Sequence, residues 1–193
     1  MKEIEILYTL QTDIEVAKKL LTEKVGFVEE IIVHDWYYAR HDIKDLLPDE
    51  EGRLHSALRL RKKGNEHYIT YKNDHFDNNE TWLFSDEHET LVGDILVMRD
   101  IFSKLLFTEL VQVLNKKFYY QNDNYEIVLE DVFSLGHFIE IEFKGDTKNL
   151  SYDDIQKKKE EMRLFLKLIG IETGEEMNAG KPELLLQKNK ERK

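Results

Sequence analysis

The chain has 193 residues, a net charge of -11 from 28 Lys and Arg against 39 Asp and Glu, and no cysteine. That length suits a single core, and the acidic balance excludes a general nucleic-acid binder or a membrane-surface protein, both of which need a basic face. The lack of cysteine removes disulfides, thiolate metal sites and a thiol nucleophile together.

Glu3-Ile4-Glu5-Ile6-Leu7-Tyr8 alternates, with Glu3, Glu5 and Leu7 on one face and Ile4, Ile6 and Tyr8 on the other, which predicts a strand. Thr12 to Glu15 has a capping-box pattern, Ile14, Ala17 and Leu21 follow at helical spacing, and Gly26 stands beyond, giving a helix over 13–24. Apolar and aromatic residues resume at Phe27 to Val33 and Trp36 to Tyr38, ahead of an acidic loop at Pro48 to Gly52. Ala57-Leu58-Arg59-Leu60-Arg61 and His67 to Lys72, joined by Lys63-Gly64-Asn65, read as a hairpin. A polar loop at Asn73 to Thr81 leads to a short strand ending at Ser85.

Ile95, Met98, Phe102 and Leu105 make one side of a helix over 94–107. The period then returns to two: Val111, Val113, Asn115 and Lys117 share a face, a turn at Gln121 to Asn124 reverses the chain, and Tyr125 to Val132 runs back. Phe138 to Phe143 alternates again. Ser151 to Gly170 is the strongest helix, with Ile155, Met162, Phe165, Leu166 and Ile169 on one stripe and the Lys157 to Glu161 charges on its solvent side. Pro182 opens a final short helix through Gln187. The sum predicts an α+β domain built on a closed or nearly closed antiparallel β-barrel of about eight strands with a polar tunnel, its outer face covered by three to four helices. It spans 1–187 and leaves a polar tail over 188–193. No signal-peptide pattern or spanning run occurs, so a cytoplasmic protein without membrane or nucleic-acid partners is expected, as monomer or homodimer.

The polar faces of these strands sort by sign. Glu3 and Glu5 share one, Arg59 and Arg61 another, Lys72 and Lys117 stand on two more, Glu130 follows, and Glu140 with Glu142 ends the series. Like charges two residues apart on one face repel unless an opposite charge lies between them. An acidic wall suits a hard cation, Mg2+ or Mn2+, and a basic wall suits a polyphosphate, which together imply phosphoryl or nucleotidyl transfer. The chain contains no Walker loop, dinucleotide fingerprint, zinc-protease helix motif or nucleophile elbow.

In this arrangement the chain resembles the CYTH superfamily of triphosphate-tunnel proteins, which includes class IV adenylyl cyclases, thiamine triphosphatases and inorganic triphosphatases. Glu3-Ile4-Glu5-Ile6-Leu7 stands for the E-x-E-x-K signature, Asp35-Trp36-Tyr37-Tyr38 for the D-x-Y element, Ala57 to Arg61 for a-L-R-i-R, Ile69 to Lys72 for l-T-y-K, and Leu129 to Glu142 for the closing acidic motif. The resemblance implies metal ligation by Glu3, Glu5, Glu140 and Glu142, triphosphate contacts from Arg59, Arg61, Lys72 and Lys117, catalytic roles for Glu3, Glu5 and Lys117, and a supporting acid at Glu130. It implies a triphosphate or nucleoside triphosphate substrate with Mg2+ or Mn2+, best read as an adenylate cyclase, with a triphosphatase or a non-catalytic polyphosphate binder as alternatives. Departures are Leu7 for the signature lysine, Asn115 for a lysine, Glu130 for aspartate, an Asn78 to Phe84 stretch without a basic residue, and Gly180-Lys181 in place of a Ser-Tyr pair.

The remaining candidates have plainer readings. The histidines (34, 41, 55, 67, 75, 88 and 137) lack zinc spacing, and His34 suits a structural hydrogen bond. Trp36, Tyr37 and Tyr38 read as barrel wall, Lys157 to Lys159 as solvated helix face, and Arg40, Arg53 and Lys62 as loop charge.

Overall fold

In the computed structural model residues 2–191 are described, and their strands follow the two-residue alternation closely. Among the described residues there are ten: β1 (Lys2–Glu3), β2 (Glu5–Leu10), β3 (Phe27–Ala39), β4 (Ser56–Lys63), β5 (Glu66–Phe76), β6 (Trp82–Leu91), β7 (Thr108–Gln121), β8 (Tyr125–Val132), β9 (Gly136–Phe143) and β10 (Thr173–Glu176). They form one sheet in the order β1-β6-β5-β4-β3-β7-β8-β9-β2-β10. Each recorded pairing is antiparallel.

This corrects the closed or nearly closed barrel expected from the sequence: the sheet is curled but open, a half-barrel with a gap of 16 Å. Two features keep it open. Lys2–Glu3 meets β6 over only two register positions, Asp86 and Ser85, and the far side of β2 is taken by β10, with Thr173 opposite Leu10 and Glu176 opposite Tyr8. The strand number rises from about eight to ten for the same reasons, because Ile4 splits the first strand and β10 is added.

Among the described residues four α-helices lie on this sheet: α1 (Ile14–Lys24), α2 (Ile95–Lys104), α3 (Tyr152–Leu168) and α4 (Lys181–Glu191). Asp13, not Thr12, caps α1, its carboxylate accepting from the amides of Glu15 and Val16. Thr12 instead accepts from the Glu172 amide at 2.7 Å, tying the start of the helix to β10. Ser151 and Asp154 make a reciprocal capping box on α3.

Ile4, between β1 and β2, and Ile6, Ile127, Ile139 and Ile141 on the outward faces of β2, β8 and β9 are all fully buried beneath Ala17 and Leu21 of α1 and Ile155, Met162 and Leu166 of α3. Each such side chain contributes roughly 1.5–3 kcal/mol of burial, so this layer fixes which strand face turns inward. On the other half Trp36, Tyr38 and Leu60 pack under Ile95 and Phe102 of α2. Leu105, expected on that stripe, lies past the end of α2 and is exposed. Lys159, expected on the solvated face of α3, is 2% exposed, with Nζ 2.5 Å from the Trp82 carbonyl. The polar tail expected over 188–193 is helical through Glu191, and its last two residues lie outside the described residues. Among the described residues no helix is long and apolar enough to cross a membrane.

Candidate functional site

With the aliphatic faces turned outward, the inward residues of nine strands, β1 to β9, line one cavity. Glu3, Glu5, Arg59, Arg61, Lys72, Lys117, Glu130, Glu140 and Glu142 all line it. Register explains the gathering: Arg59 and Arg61 of β4 lie opposite Tyr37 and Asp35 of β3, Lys117 opposite Glu130, and Glu5 opposite Glu142. A two-residue step along each strand returns the side chain to the same face.

Three knots of charge organise the lumen. In the first, Lys72 Nζ is 2.7 Å from Glu3 Oε2 and 2.5 Å from Glu5 Oε1. Burial, with the charge of Glu3 added, holds the Glu5 carboxyl well above the usual range even against Lys72. In the second, Arg61 donates to both oxygens of Asp35 at 2.7 and 2.8 Å. Burial alone raises that carboxyl, but the Arg61 charge and its paired hydrogen bonds outweigh it and bring Asp35 down to about 2. Arg59 is freer: its guanidinium stands 3.7 Å from Glu87 and 3.9 Å from Glu89, and its Nε has no hydrogen-bond acceptor.

The third knot surrounds Glu130, which is fully buried. Lys181 Nζ lies 2.8 Å from Glu130 Oε1 and 2.5 Å from Glu140 Oε2, Lys117 Nζ lies 3.6 Å from Glu130, and the Asn115 amide donates to Glu130 Oε2. Burial works against the Glu140 carboxylate, yet Lys181 and Lys117 hold its pKa well below the usual range. Glu142 has the opposite fate. Among the described residues no cation stands within ion-pair distance of it, and burial together with Glu3, Glu126 and Glu140 pushes it up to about 8.

The donor chemistry suits a hard cation. Glu3 Oε2 and Glu130 Oε1 lie near ammonium groups but lack an aligned hydrogen-bond donor, and Glu142 is crowded by like charge. Among the described residues no three Asp, Glu or His side chains already stand at metal-holding geometry, because Lys72 and Lys181 draw Glu3, Glu5 and Glu140 toward themselves.

The CYTH domain matches residues 1–169, which includes every strand of the lumen. The chain belongs to the CYTH family. A Methanocaldococcus jannaschii protein named as a candidate adenylate cyclase is 29% identical over 174 residues, covering 89% of this chain and 91% of that protein. A solved structure from Pyrococcus horikoshii superposes with a TM-score of 0.74 at 26% identity, over 96% of this chain and 99% of that one. A Hippeastrum protein described as a candidate adenylyl cyclase with a dominant triphosphatase activity shares the fold at 17% identity and a TM-score of 0.62, over 97% and 96% of the two chains.

Several lumen residues of this CYTH chain escaped the sequence reading. Tyr37, read as barrel wall, faces the cavity, whereas its neighbours Trp36 and Tyr38 face outward. Glu87 and Glu89 lie on β6, which runs to Leu91 rather than ending at Ser85. Their spacing of two, opposite Lys72 and Thr70, was the available signal. Asp35 of the D-x-Y element is the partner of Arg61. His34 makes the structural hydrogen bond expected of it, with Gln112 at 2.8 Å. Leu7 packs beside Tyr37, Val113 and Leu185, an apolar seat within the charged lumen.

Proposed function

We propose that this CYTH chain is a divalent-cation-dependent enzyme acting on a triphosphate, and that its finer activity is that of a class IV-type adenylate cyclase, converting ATP to cyclic AMP and pyrophosphate. One observation carries the reading: among the described residues the cavity is lined by five basic and eleven acidic ones, with the basic ones gathered on β4, β5, β7 and α4. Bidentate guanidinium and ammonium groups suit phosphate oxygens, but so acidic a lining repels a bare polyphosphate, so the substrate enters with cations.

Glu3, Glu5, Glu140 and Glu142 would hold Mg2+ or Mn2+, which would supply charge neutralisation and Lewis acidity toward a hydroxyl or water. The chain's own residues do the rest. Arg59, with its unpaired Nε, and Lys117 contact phosphate, Arg61 is held rigid by Asp35 and presents its outer edge, and Glu130 fixes Lys117. In the cyclase reading the ribose 3'-oxygen bonds to the α-phosphorus as pyrophosphate leaves. The relative from M. jannaschii favours this choice.

A second reading, hydrolysis of the terminal phosphate by water, is favoured by the activity stated for the Hippeastrum fold neighbour. Incubation with ATP or tripolyphosphate and each metal, with cyclic AMP, pyrophosphate and orthophosphate resolved, separates the two. Cyclic AMP with pyrophosphate supports the cyclase and orthophosphate the hydrolase. Metal-independent turnover, or no turnover and no binding, overturns the reading.

A further inference from the structure

The α-helices do not present the same kind of surface to solvent. α1 and α3 turn mainly charged residues outward, such as Glu15, Lys19 and Glu23 on the first and Lys157, Glu160 and Lys167 on the second. α2 has three charged residues in ten and is apolar on both sides. Ile95 and Phe102 pack against Trp36, Tyr38 and Leu60, while Leu96, Val97 and Ile101 are 70, 54 and 41% exposed. A helix that is apolar all round is one that is covered all round. The apolar run also continues past the helix end. Leu105 and Leu106 are 52 and 69% exposed, and Leu106 has a φ of 64°, the left-handed conformation in which glycine commonly ends a helix. A leucine there is strained, and burial within the chain does not offset the strain.

Together these five side chains expose on the order of 500 Å2, a size at which an apolar patch marks a binding surface. What the face suits is a second copy of itself. Val97, Ile101 and Leu105 recur every four residues, a ridge that packs against the same ridge of another helix. Asp100 and Lys104 stand exposed on that face one turn apart and opposite in sign, and among the described residues neither has an ion-pair partner. A two-fold axis at Ile101 sets Val97 beside the partner's Leu105 and Asp100 beside the partner's Lys104, and symmetry repeats each contact. Two such faces bury about 1,000 Å2 together, which reaches the lower limit for a specific interface.

We infer that α2 with Leu105 and Leu106 forms a homodimer interface, two copies of this chain packing antiparallel across Ile101. Through Trp36, Tyr38 and Leu60 this interface backs β3 and β4, the strands whose other faces carry Asp35, Arg59 and Arg61 into the lumen. No residue of α2 lines the cavity, so each copy keeps a complete site and the inference stands apart from the functional reading above.

Sedimentation velocity at concentrations up to roughly 100 μM tests this, with circular dichroism to follow the fold. The wild type is expected to sediment as a dimer. Val97→Glu, an acid in the first turn where the helix tolerates it, is expected to be a monomer with an unchanged spectrum. Asp100→Lys and Lys104→Asp each set like charges together twice and should weaken the dimer about tenfold or more. An equal mixture of those two variants should recover it as a heterodimer, because each charge then meets its opposite, and the double variant Asp100→Lys with Lys104→Asp should recover it as a homodimer. A monomeric wild type overturns the inference, including one that instead binds phosphatidylcholine vesicles through α2, which would assign the face to a lipid surface. A dimer that Val97→Glu leaves intact overturns it by placing the interface elsewhere, and so does a mixture of the charge variants that stays monomeric. If Val97→Glu fails to fold, the charge variants, at exposed positions, decide alone.

Discussion

Lys72 Nζ lies 2.5 Å from Glu5 Oε1 across the lumen, joining β5 to β2, two strands that are not neighbours in the sheet. The same ammonium is 2.7 Å from Glu3, so one buried charge answers two carboxylates. Under the proposed function, a divalent cation taken up by those carboxylates would release Lys72 toward phosphate. Because coupling between two ligands is reciprocal, Mg2+ or Mn2+ should strengthen tripolyphosphate binding by the factor by which tripolyphosphate strengthens metal binding, on the order of tenfold. Paired calorimetric titrations in either order measure both factors. Equal tripolyphosphate affinity with and without metal rejects the coupling.

Arg61 and Arg59, two residues apart on one face, should respond differently to truncation. Arg61→Met strands Asp35, 4% exposed, without its paired donor, and loss of one partner of a buried pair costs about 3–5 kcal/mol. Arg59→Met removes a guanidinium whose acids, Glu87 and Glu89, stand at 3.7 and 3.9 Å, and should act mainly on KM. The Asp35 carboxyl sits at about 2, below its ordinary 3.8, so the pair's stabilisation is full above about pH 4 and is lost as pH falls through about 2. The span corresponds to about 2 kcal/mol in urea unfolding between those limits. Asp35→Asn should remove that acid dependence, and a wild-type profile indistinguishable from Asp35→Asn would contradict it.

Alternation made most of the site legible. Glu140-Ile141-Glu142 and Arg59-Leu60-Arg61 announce their faces because isoleucine and leucine must go outward under a helix, and the acids and arginines then have only the lumen. What stayed hidden was decided over long range. The openness of the sheet depends on Thr173-Gly174-Glu175-Glu176, a stretch with no apolar alternation, occupying the free edge of β2. Asp13 rather than Thr12 caps α1 because Glu172 engages Thr12, a contact 160 residues away in sequence. Lys181 stood out only as a departure, since nothing local to α4 points to Glu130 or Glu140.

Lys159 is a case where helical arithmetic misjudged burial, and it yields a stability prediction. Its Nζ lies 2.5 Å from the Trp82 carbonyl and 3.6 Å from Glu176, and burial lowers its pKa. Lys159→Met keeps the volume but leaves that carbonyl without its donor, for an expected loss of about 1–3 kcal/mol. Arg163 still pairs with Glu176 at 2.7 Å, so β10 should remain in place. Urea midpoints for Lys159→Met and for Lys158→Met on the same helix provide the comparison. Equal midpoints would mean that the buried ammonium contributes nothing.

Glu142 gives the clearest dependence on pH. Burial, then Glu3, Glu126 and Glu140, raise its carboxyl from 4.5 to about 8. The folded protein therefore keeps a proton that the unfolded chain gives up, so the stability of the metal-free protein should fall as pH rises from about 4.5 to about 8 and level off above. A coordinated cation needs the carboxylate, and its binding expels that proton. Thermal stabilisation by Mn2+ should accordingly be larger near pH 8.5 than near pH 6, roughly one charge state apart. Glu142→Gln should flatten the metal-free profile across this window and weaken the Mn2+ response at the upper end. A flat wild-type profile between these limits, or a metal response greater at the lower pH, would remove Glu142 from the cation wall.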